Sequence, residues 1–259
     1  MLIETLIFAA STIILFVSLL FVLSVFIKRN DIADIAWGTG IFLVSWVAYL
    51  ESSQSVLTTI LLCLAGLWGI RLTIRILLRN IKKSEDYRYK VWRDSWGKWF
   101  YLRSFFQVYL LQGFLMLLVG YPFVHFAVYG SNESFSVWSV AGIFIWSVGY
   151  FFEVVGDYQL DKFIQNPENK GKIMNKGLWR YSRHPNYFGE VTMWWGIWIL
   201  VAPVSLSYLA LISPLTITFL ILKVSGVPML EKKFAGDPKF EQYKNETSVF
   251  FPLPPKLKD

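Results

Sequence analysis

Leu2–Ile27 reads LIETLIFAASTIILFVSLLFVLSVFI, 26 residues with a single charged side chain, Glu4, near its start. A helix rises 1.5 Å per residue, so this run reaches about 39 Å as a helix. The hydrocarbon core of a bilayer is only ~30 Å thick. Inside that core no water pairs with free backbone N–H and C=O groups, and an α-helix satisfies them within one segment. The run is therefore expected to be a transmembrane helix. It is also expected to persist rather than be cleaved as a leader. No basic region precedes it, its apolar run exceeds a signal core, and no A-x-A-like site follows.

The rest of the chain has the same character. Hydrophobic residues make up 55% of its 259 residues and charged residues only 17%, against roughly 25% charged in soluble domains. The 12 Trp, 13 Tyr and 22 Phe are the aromatic excess of membrane interfaces. Such hydrophobicity excludes intrinsic disorder, and one cysteine, Cys63, excludes a disulfide scaffold. The fold expected is all-α: one polytopic membrane domain over residues 1–259, without repeats or flexible linkers.

About seven segments are long and apolar enough to span. After the first come Ile35–Leu50, Val56–Leu78, Phe105–Tyr129, Val137–Gly156, Tyr187–Val204 and Leu206–Val224. The last two are short and meet at Ala202–Ser205, so a re-entrant hairpin and a total of six remain open. The 25 Lys and Arg fall into four groups: two at 28–29, ten from Arg71 to Arg103, six from Lys162 to Arg183, seven from Lys223 to Lys258. With seven spans all four groups share one side. The positive-inside rule then predicts an external N-terminus and a cytoplasmic C-terminus. The net charge of +7 becomes a basic cytoplasmic face suited to anionic lipids. No motif points to nucleic acid.

Signatures of soluble enzymes are absent. Gly38-Thr39-Gly40 lacks the third glycine of a dinucleotide fingerprint and runs into a span. There is no Walker loop and no G-x-S-x-G. His125 and His184 belong on opposite membrane sides, which leaves no Cys/His metal site.

Four constellations remain. Asp31 and Asp34 share a helix face at the mouth of the second span. They are either interfacial or capping acids, or a functional pair, because acids at membrane depth are costly. Arg71, Arg75 and Arg79 form a stripe that either snorkels to headgroups or meets an anion. Glu85–Tyr89 with Trp92, Trp96 and Trp99 suits an interfacial amphipathic helix. The richest block runs from Glu153, Asp157 and Asp161 to Glu190. Its basic groups suit phosphates, and Trp179, Tyr181 and Tyr187 offer rings for stacking. Pro185 is placed to open a helix whose free N–H groups attract an anion.

This block resembles the steroid 5α-reductase family and its bacterial relatives of the domain of unknown function 1295. The matching pieces are Glu153-x3-Asp157-x-Gln159-Leu160, Gly177-Leu178-Trp179, Ser182 to Glu190, Trp194-Trp195-Gly196 and Ser225 to Pro228. Asp34-x2-Trp37-Gly38 and Glu85 to Tyr89 are similar to the bacterial branch. The resemblance implies a seven-helix fold in the bacterial inner membrane. It implies NADPH-dependent reduction of a carbon–carbon double bond conjugated to a ketone, in a steroid-like or other lipophilic substrate. It implies a cofactor region within 103–259, facing the cytoplasm. The implied cofactor residues are Arg103, Gln107, Asp157, Lys172, Trp179, Tyr181, Arg183, His184, Asn186, Tyr187, Glu190, Glu231 and Tyr243. For the substrate ketone it implies an acid, matched by Asp34, and a phenol. The phenol's position falls at Trp68, and Tyr87 is the substitute considered. Burial of Asp34 would raise its carboxyl pKa and let it donate to the developing enolate.

Two other classes stay open. An R-H-P-x-Y stretch before a helix also occurs in membrane methyltransferases of the isoprenylcysteine and phospholipid type, which use S-adenosylmethionine. A non-enzymatic lipid-binding protein explains the basic face but gives Asp34, Asn186 and Glu190 no role.

Overall fold

The opening apolar run folds as the first helix, α1 (Leu2–Ile27), in a computed structural model that describes residues 1–81 and 83–256. Lys82 and Lys258, counted among the basic groups, lie outside the described residues. The helices that follow are α2 (Ile32–Leu50), α3 (Val56–Asn80), α4 (Tyr87–Trp96) and α5 (Phe100–Ser104). After a π-helical turn at Phe105–Leu110 come α6 (Leu111–Tyr129), α7 (Val137–Gln165) and α8 (Pro185–Val201). Then come α9 (Ile212–Phe219), a second π-turn at Leu220–Val224, α10 (Val227–Lys232) and α11 (Pro238–Glu246). No strand occurs among the described residues.

Six helical stretches are long and apolar enough to cross a membrane, the architecture of an integral membrane protein: Leu2–Ile27, Ile32–Leu50, Val56–Asn80, Tyr87–Tyr129, Val137–Gln165 and Ser207–Lys232. The fourth is longer than expected, 43 residues, because α4 to α6 run on with little interruption. α8 has 17 residues, at the short end of the range for a span.

The chain divides into two compact units. The first holds Met1–Phe135 and Val201–Ser213. Helix α2 sits among α1, α3 and α6 of this unit. It fits there because its buried residues are small: Ala33, Ala36, Gly38, Gly40, Ser45 and Ala48 among them. A Cβ at Gly38 would run into the Gly69 carbonyl, and one at Gly69 into that of Gly38. Where lipid offers no hydrophobic drive, such close backbone approach is what joins helices. Beside this contact Thr39 and Thr73 place their hydroxyls 2.9 Å apart. The glycines of the Gly38-Thr39-Gly40 stretch are thus packing residues.

The second unit holds Ser136–Leu200 and Pro214–Asp259. Here α7 and α8 meet through glycines seven residues apart: Gly142, Gly149 and Gly156 on one, Gly189 and Gly196 on the other. Seven residues are close to two full turns, so each set forms one stripe. A Cβ at Gly189 would collide with the Gly149 carbonyl. The loop between these helices carries the short 3-10 turn Gly177–Arg180, which packs against α7.

Candidate functional site

In the first unit, the start of α2 collects a polar cluster. Asp31 holds the N-cap position, yet its side chain caps no backbone N–H. It accepts instead from Arg29, at 3.1 Å from Nε and 2.7 Å from Nη2. Of the roles open to Asp31, capping is not the one seen: it is an ion-pair partner, and this hydrogen bond raises the pKa of Arg29. Asp31 is buried, as is Asn30 beside it. The Asn30 N–H donates to Glu85 at 2.7 Å, and Glu85 also accepts from Arg93 at 3.0 Å. The α1–α2 corner is therefore tied to the segment that carries α4.

Asp34, one helical turn on, receives three donors. Arg88 Nη2 lies 2.6 Å from Oδ2, and the Tyr89 hydroxyl lies 3.0 Å from Oδ1. The Gln112 amide is at 3.5 Å. Asp86 completes the cluster: it caps α4 by accepting from the Arg88 N–H at 3.0 Å and grips the Arg88 Nε at 2.9 Å. The Arg88 and Asp34 side chains are 28% and 27% exposed, whereas Tyr89 beneath them is 2% exposed.

This arrangement changes two expectations. Asp34 was expected to donate, but with a guanidinium, a phenol and an amide all pointing at it, it acts as acceptor. The groups with protons to give are Arg88 and Tyr89. The phenol that reaches Asp34 is that of Tyr89, while Tyr87 is 56% exposed. Residues two apart on a helix lie on opposite sides, so the two tyrosines cannot exchange roles. Trp68 is buried in α3. The signal for Tyr89 was present in sequence: Tyr89, Trp92, Trp96 and Phe100 recur at helical spacing. Their rings form a continuous run, with Tyr89 edge-on to Trp92 at 5.3 Å and Trp92 stacked on Trp96 at 5.2 Å.

Arg103 and Gln107 belong to this same unit and are exposed. The Arg103 guanidinium lies 5.9 Å from the Trp96 ring centre. Gln107 sits in the π-helical turn, a distortion frequent at functional sites.

The other expected cofactor residues lie in the second unit, though several bind the chain itself. Glu231 accepts from Arg183 Nε at 2.9 Å and lies 3.1 Å from His184 Nε2. Arg183 Nη1 donates to the carbonyls of Thr247 and Lys244 at 2.8 and 3.1 Å. The His184 ring stacks on Tyr187 at 5.5 Å. Asn186, in the first turn of α8, donates to Asp157 at 3.1 Å, and Asp157 is buried within α7, about two turns before its end. Glu190 is half-buried one turn further along α8.

Trp179 was expected to offer a ring face. It is 7% exposed, and its indole N–H donates to the Gly156 carbonyl at 2.9 Å, so it anchors the loop to α7. Tyr181, 42% exposed, is the ring that remains open. Tyr243 donates its hydroxyl to the Trp179 carbonyl. Burial pushes this phenol above its usual pKa.

Sequence reasoning missed the extended C-terminal segment, Thr247 to Leu253, whose backbone holds this loop. Arg183 N–H donates to Ser248 O at 2.8 Å and Leu253 N–H to Tyr181 O at 3.0 Å. Ser182 Oγ donates to Phe250 O at 2.8 Å, and Phe188 packs edge-on against Phe250 and Phe251. Backbone partners leave no mark in composition, so no sequence signal identified them. A cavity of ≈ 320 Å³ opens next to this region, lined by Lys172, Ile173, Asn175, Lys239, Gln242, Tyr243 and Glu246. Two of these, Lys172 and Tyr243, are expected cofactor residues. No cluster of three metal-ligating side chains occurs among the described residues.

The fold and its polar clusters define a helical membrane protein with ionisable groups gathered at helix mouths and in the connecting loops. The chain belongs to the family described as protein of unknown function (DUF1295), whose profile matches residues 20–247. It is 24% identical over 235 residues to the uncharacterized protein C594.04c of Schizosaccharomyces pombe, covering 82% of this chain and 67% of that protein. No solved structure matches it significantly.

Proposed function

We propose that the protein is a membrane oxidoreductase that reduces a carbon–carbon double bond conjugated to a ketone in a lipophilic substrate, with NADPH as reductant. The observation that carries this reading is the convergence of Arg88 and Tyr89 on Asp34. The Arg88 guanidinium, with more N–H groups than its two acids take up, is a donor suited to a carbonyl oxygen that gains negative charge, and the Tyr89 O–H joins it by turning from Asp34 to the substrate.

The residues of the second unit fit a phosphate-bearing, ring-containing cofactor. Lys172 and Lys239 line the cavity with cations, Asn175 and Gln242 add amides, and Glu246 adds a carboxylate that Gln242 holds at 2.9 Å. Tyr181 supplies an open aromatic face. When bound, such a cofactor supplies hydride to the β-carbon of the enone. Arg88 then hydrogen-bonds the ketone oxygen as charge grows there, and the Tyr89 O–H does so on exchanging Asp34 for the substrate. Asp34 is a positioning residue for both donors, and Asp86 fixes the second edge of the guanidinium. Arg183, His184 and Glu231 hold the loop in shape.

We also propose that α8 is a seventh span, which with the distribution of basic residues puts the N-terminus outside. Cysteines introduced at Ser131 and Lys172 should react with an impermeant reagent from opposite sides. Labelling of both from one side would contradict this topology.

The reductase reading is tested by native mass spectrometry of the purified protein. Retained NADP(H) supports it. Retained S-adenosylmethionine with no nicotinamide would make the protein a methyltransferase, and retention of lipid alone would favour a non-enzymatic role.

A further inference from the structure

The extended segment that follows α11 pairs by its backbone with the loop before α8, through Ser248 and Leu253 on one side and Arg183 and Tyr181 on the other. Extended backbone sends successive side chains to opposite faces. Here the inward side chain is Phe250, 6% exposed, and the outward ones are Val249, Phe251 and Leu253, at 41%, 63% and 54%. Three large apolar side chains thus stand in one outward row, an arrangement that water disfavours.

The row lies near membrane depth. α7 starts at Val137, and about 20 residues of helix cross the hydrocarbon core. Phe152 falls within that length, whereas Asp157, Asp161 and Lys162 fall beyond it. Phe152 packs edge-on against Phe188 at 5.0 Å, and Phe188 in turn against Phe251 at 6.0 Å. The outward row is therefore level with the last turns of the span, where Phe151 is itself exposed. Its rim is basic. No acid occurs from Lys170 to Gly189 or from Thr247 to Lys256, and Arg180 and Lys256 are both exposed. Glu246, the acid next before the segment, accepts from the Gln242 amide at 2.9 Å.

An apolar row rimmed by cations suits a bilayer surface that carries anionic headgroups. We propose that Val249, Phe251 and Leu253 seat in that surface, and that the segment acts as a lipid-held clasp on the Tyr181–Asn186 loop. Seating Phe251 and Leu253 presses the Ser248 and Leu253 backbone against Arg183 and Tyr181. The order of the loop that carries Arg183, His184 and Asn186 then depends on lipid contact at a place outside every span. The inference needs only a membrane beside α7 and stands apart from the reductase reading. A second copy of the chain could also cover an apolar row, but it would require neither the level of the row nor its basic rim.

The test uses the full-length protein in bilayers of phosphatidylcholine and phosphatidylglycerol. Leu253→Cys in a Cys63→Ser background carries an environment-sensitive fluorophore. Asn245→Cys, at an exposed position of α11, is the control. Lipids brominated on their acyl chains should quench the label at 253, at a depth of about 5–10 Å, and aqueous iodide should quench only the label at 245. Replacing phosphatidylglycerol by phosphatidylcholine should weaken the quenching at 253. Phe251→Ser should speed amide exchange over Tyr181–Asn186 by about tenfold or more, the scale of one large apolar side chain losing its burial, with exchange along α7 unchanged. Because the Phe251 ring also packs on Phe188, that variant can fail to fold; Leu253→Ser then gives the same readout. Iodide quenching at 253 without quenching by brominated lipid would overturn the proposal. So would a label shielded from both quenchers together with disulfide cross-links between copies of Leu253→Cys, which would give the row to a second copy. Membrane depth as expected with unchanged exchange in both serine variants would overturn the clasp. Equal quenching in pure phosphatidylcholine would overturn the part assigned to Arg180 and Lys256.

Discussion

The Tyr89 hydroxyl rests 3.0 Å from Asp34 Oδ1, joining two residues 55 positions apart in the chain. The same carboxylate takes Arg88 on its other oxygen, at 2.6 Å. An acid at a helix mouth thereby becomes the fixed point on which two donors are aimed, and most of the functional account depends on that geometry.

Tyr89→Phe removes one donor and keeps the ring against Trp92. Turnover of an enone should fall by roughly 10²–10³-fold, the loss typical of a missing oxyanion donor. NADPH affinity should stay at the wild-type value. Tyr87→Phe, two positions away on the exposed side of α4, should leave steady-state kinetics unchanged. If the two variants behave alike, Tyr89 has no special role.

Asp34→Asn tests positioning against charge. The amide keeps the size of the side chain but no longer pairs ionically with Arg88, so both donors are aimed less well. The expected outcome is a fall in kcat with little change in cofactor affinity. Because both side chains are about a quarter exposed, the ion pair itself contributes modestly, ~1 kcal/mol in a double-mutant cycle with Arg88→Met measured by unfolding. A kcat loss that vanishes once activity is normalised to the folded fraction would contradict the positioning role.

Much of this was legible from sequence, and the limits have physical causes. The bounds of α1 follow from one unbroken apolar run, and Asp34 stood out as an acid where acids are costly. Pro185 opens α8 as expected for a residue that lacks an N–H. Choosing between Tyr87 and Tyr89 required the phase of α4, set by the Trp92 and Trp96 spacing. Arg88 and Gln112 reach Asp34 only through tertiary contact. Trp179 looked like a stacking ring because composition cannot tell an exposed indole from one bonded to the Gly156 carbonyl. The backbone ties from Thr247 to Leu253 are indifferent to side-chain identity and so were invisible.

Glu231→Gln should destabilise the second unit. It removes the charge that Arg183 and His184 share and leaves a nearly buried guanidinium without its anion. Losing one partner of such a pair costs about 3 kcal/mol, read as a lower unfolding midpoint and faster amide exchange over Tyr181–Asn186. An unchanged midpoint would mean that the carbonyls of Lys244 and Thr247 suffice to hold Arg183.

The Tyr243 phenol predicts an alkaline limb. Its pKa is raised in the folded protein by burial, so folding favours the neutral form that donates to Trp179. That stabilisation is fully present below the unfolded value, about 10 for a tyrosine. It is lost as pH rises through the higher folded value. Tyr243→Phe should cost about 1–2 kcal/mol at neutral pH by leaving a buried carbonyl unpaired. The gap between wild type and variant should close at strongly alkaline pH. A constant gap across the titration would show that the phenol's ionisation is not linked to folding.

The most direct test of the central claim follows a hydride. The purified protein is incubated with NADPH deuterated at the transferable position of the nicotinamide and with a panel of lipophilic enones, 3-oxo-Δ4-steroids included. The account predicts deuterium at the β-carbon of a saturated ketone product, formed by the wild type and strongly reduced in Tyr89→Phe. Transfer of a methyl group from S-adenosylmethionine to a lipophilic acceptor, with no deuterium in any product, would contradict it.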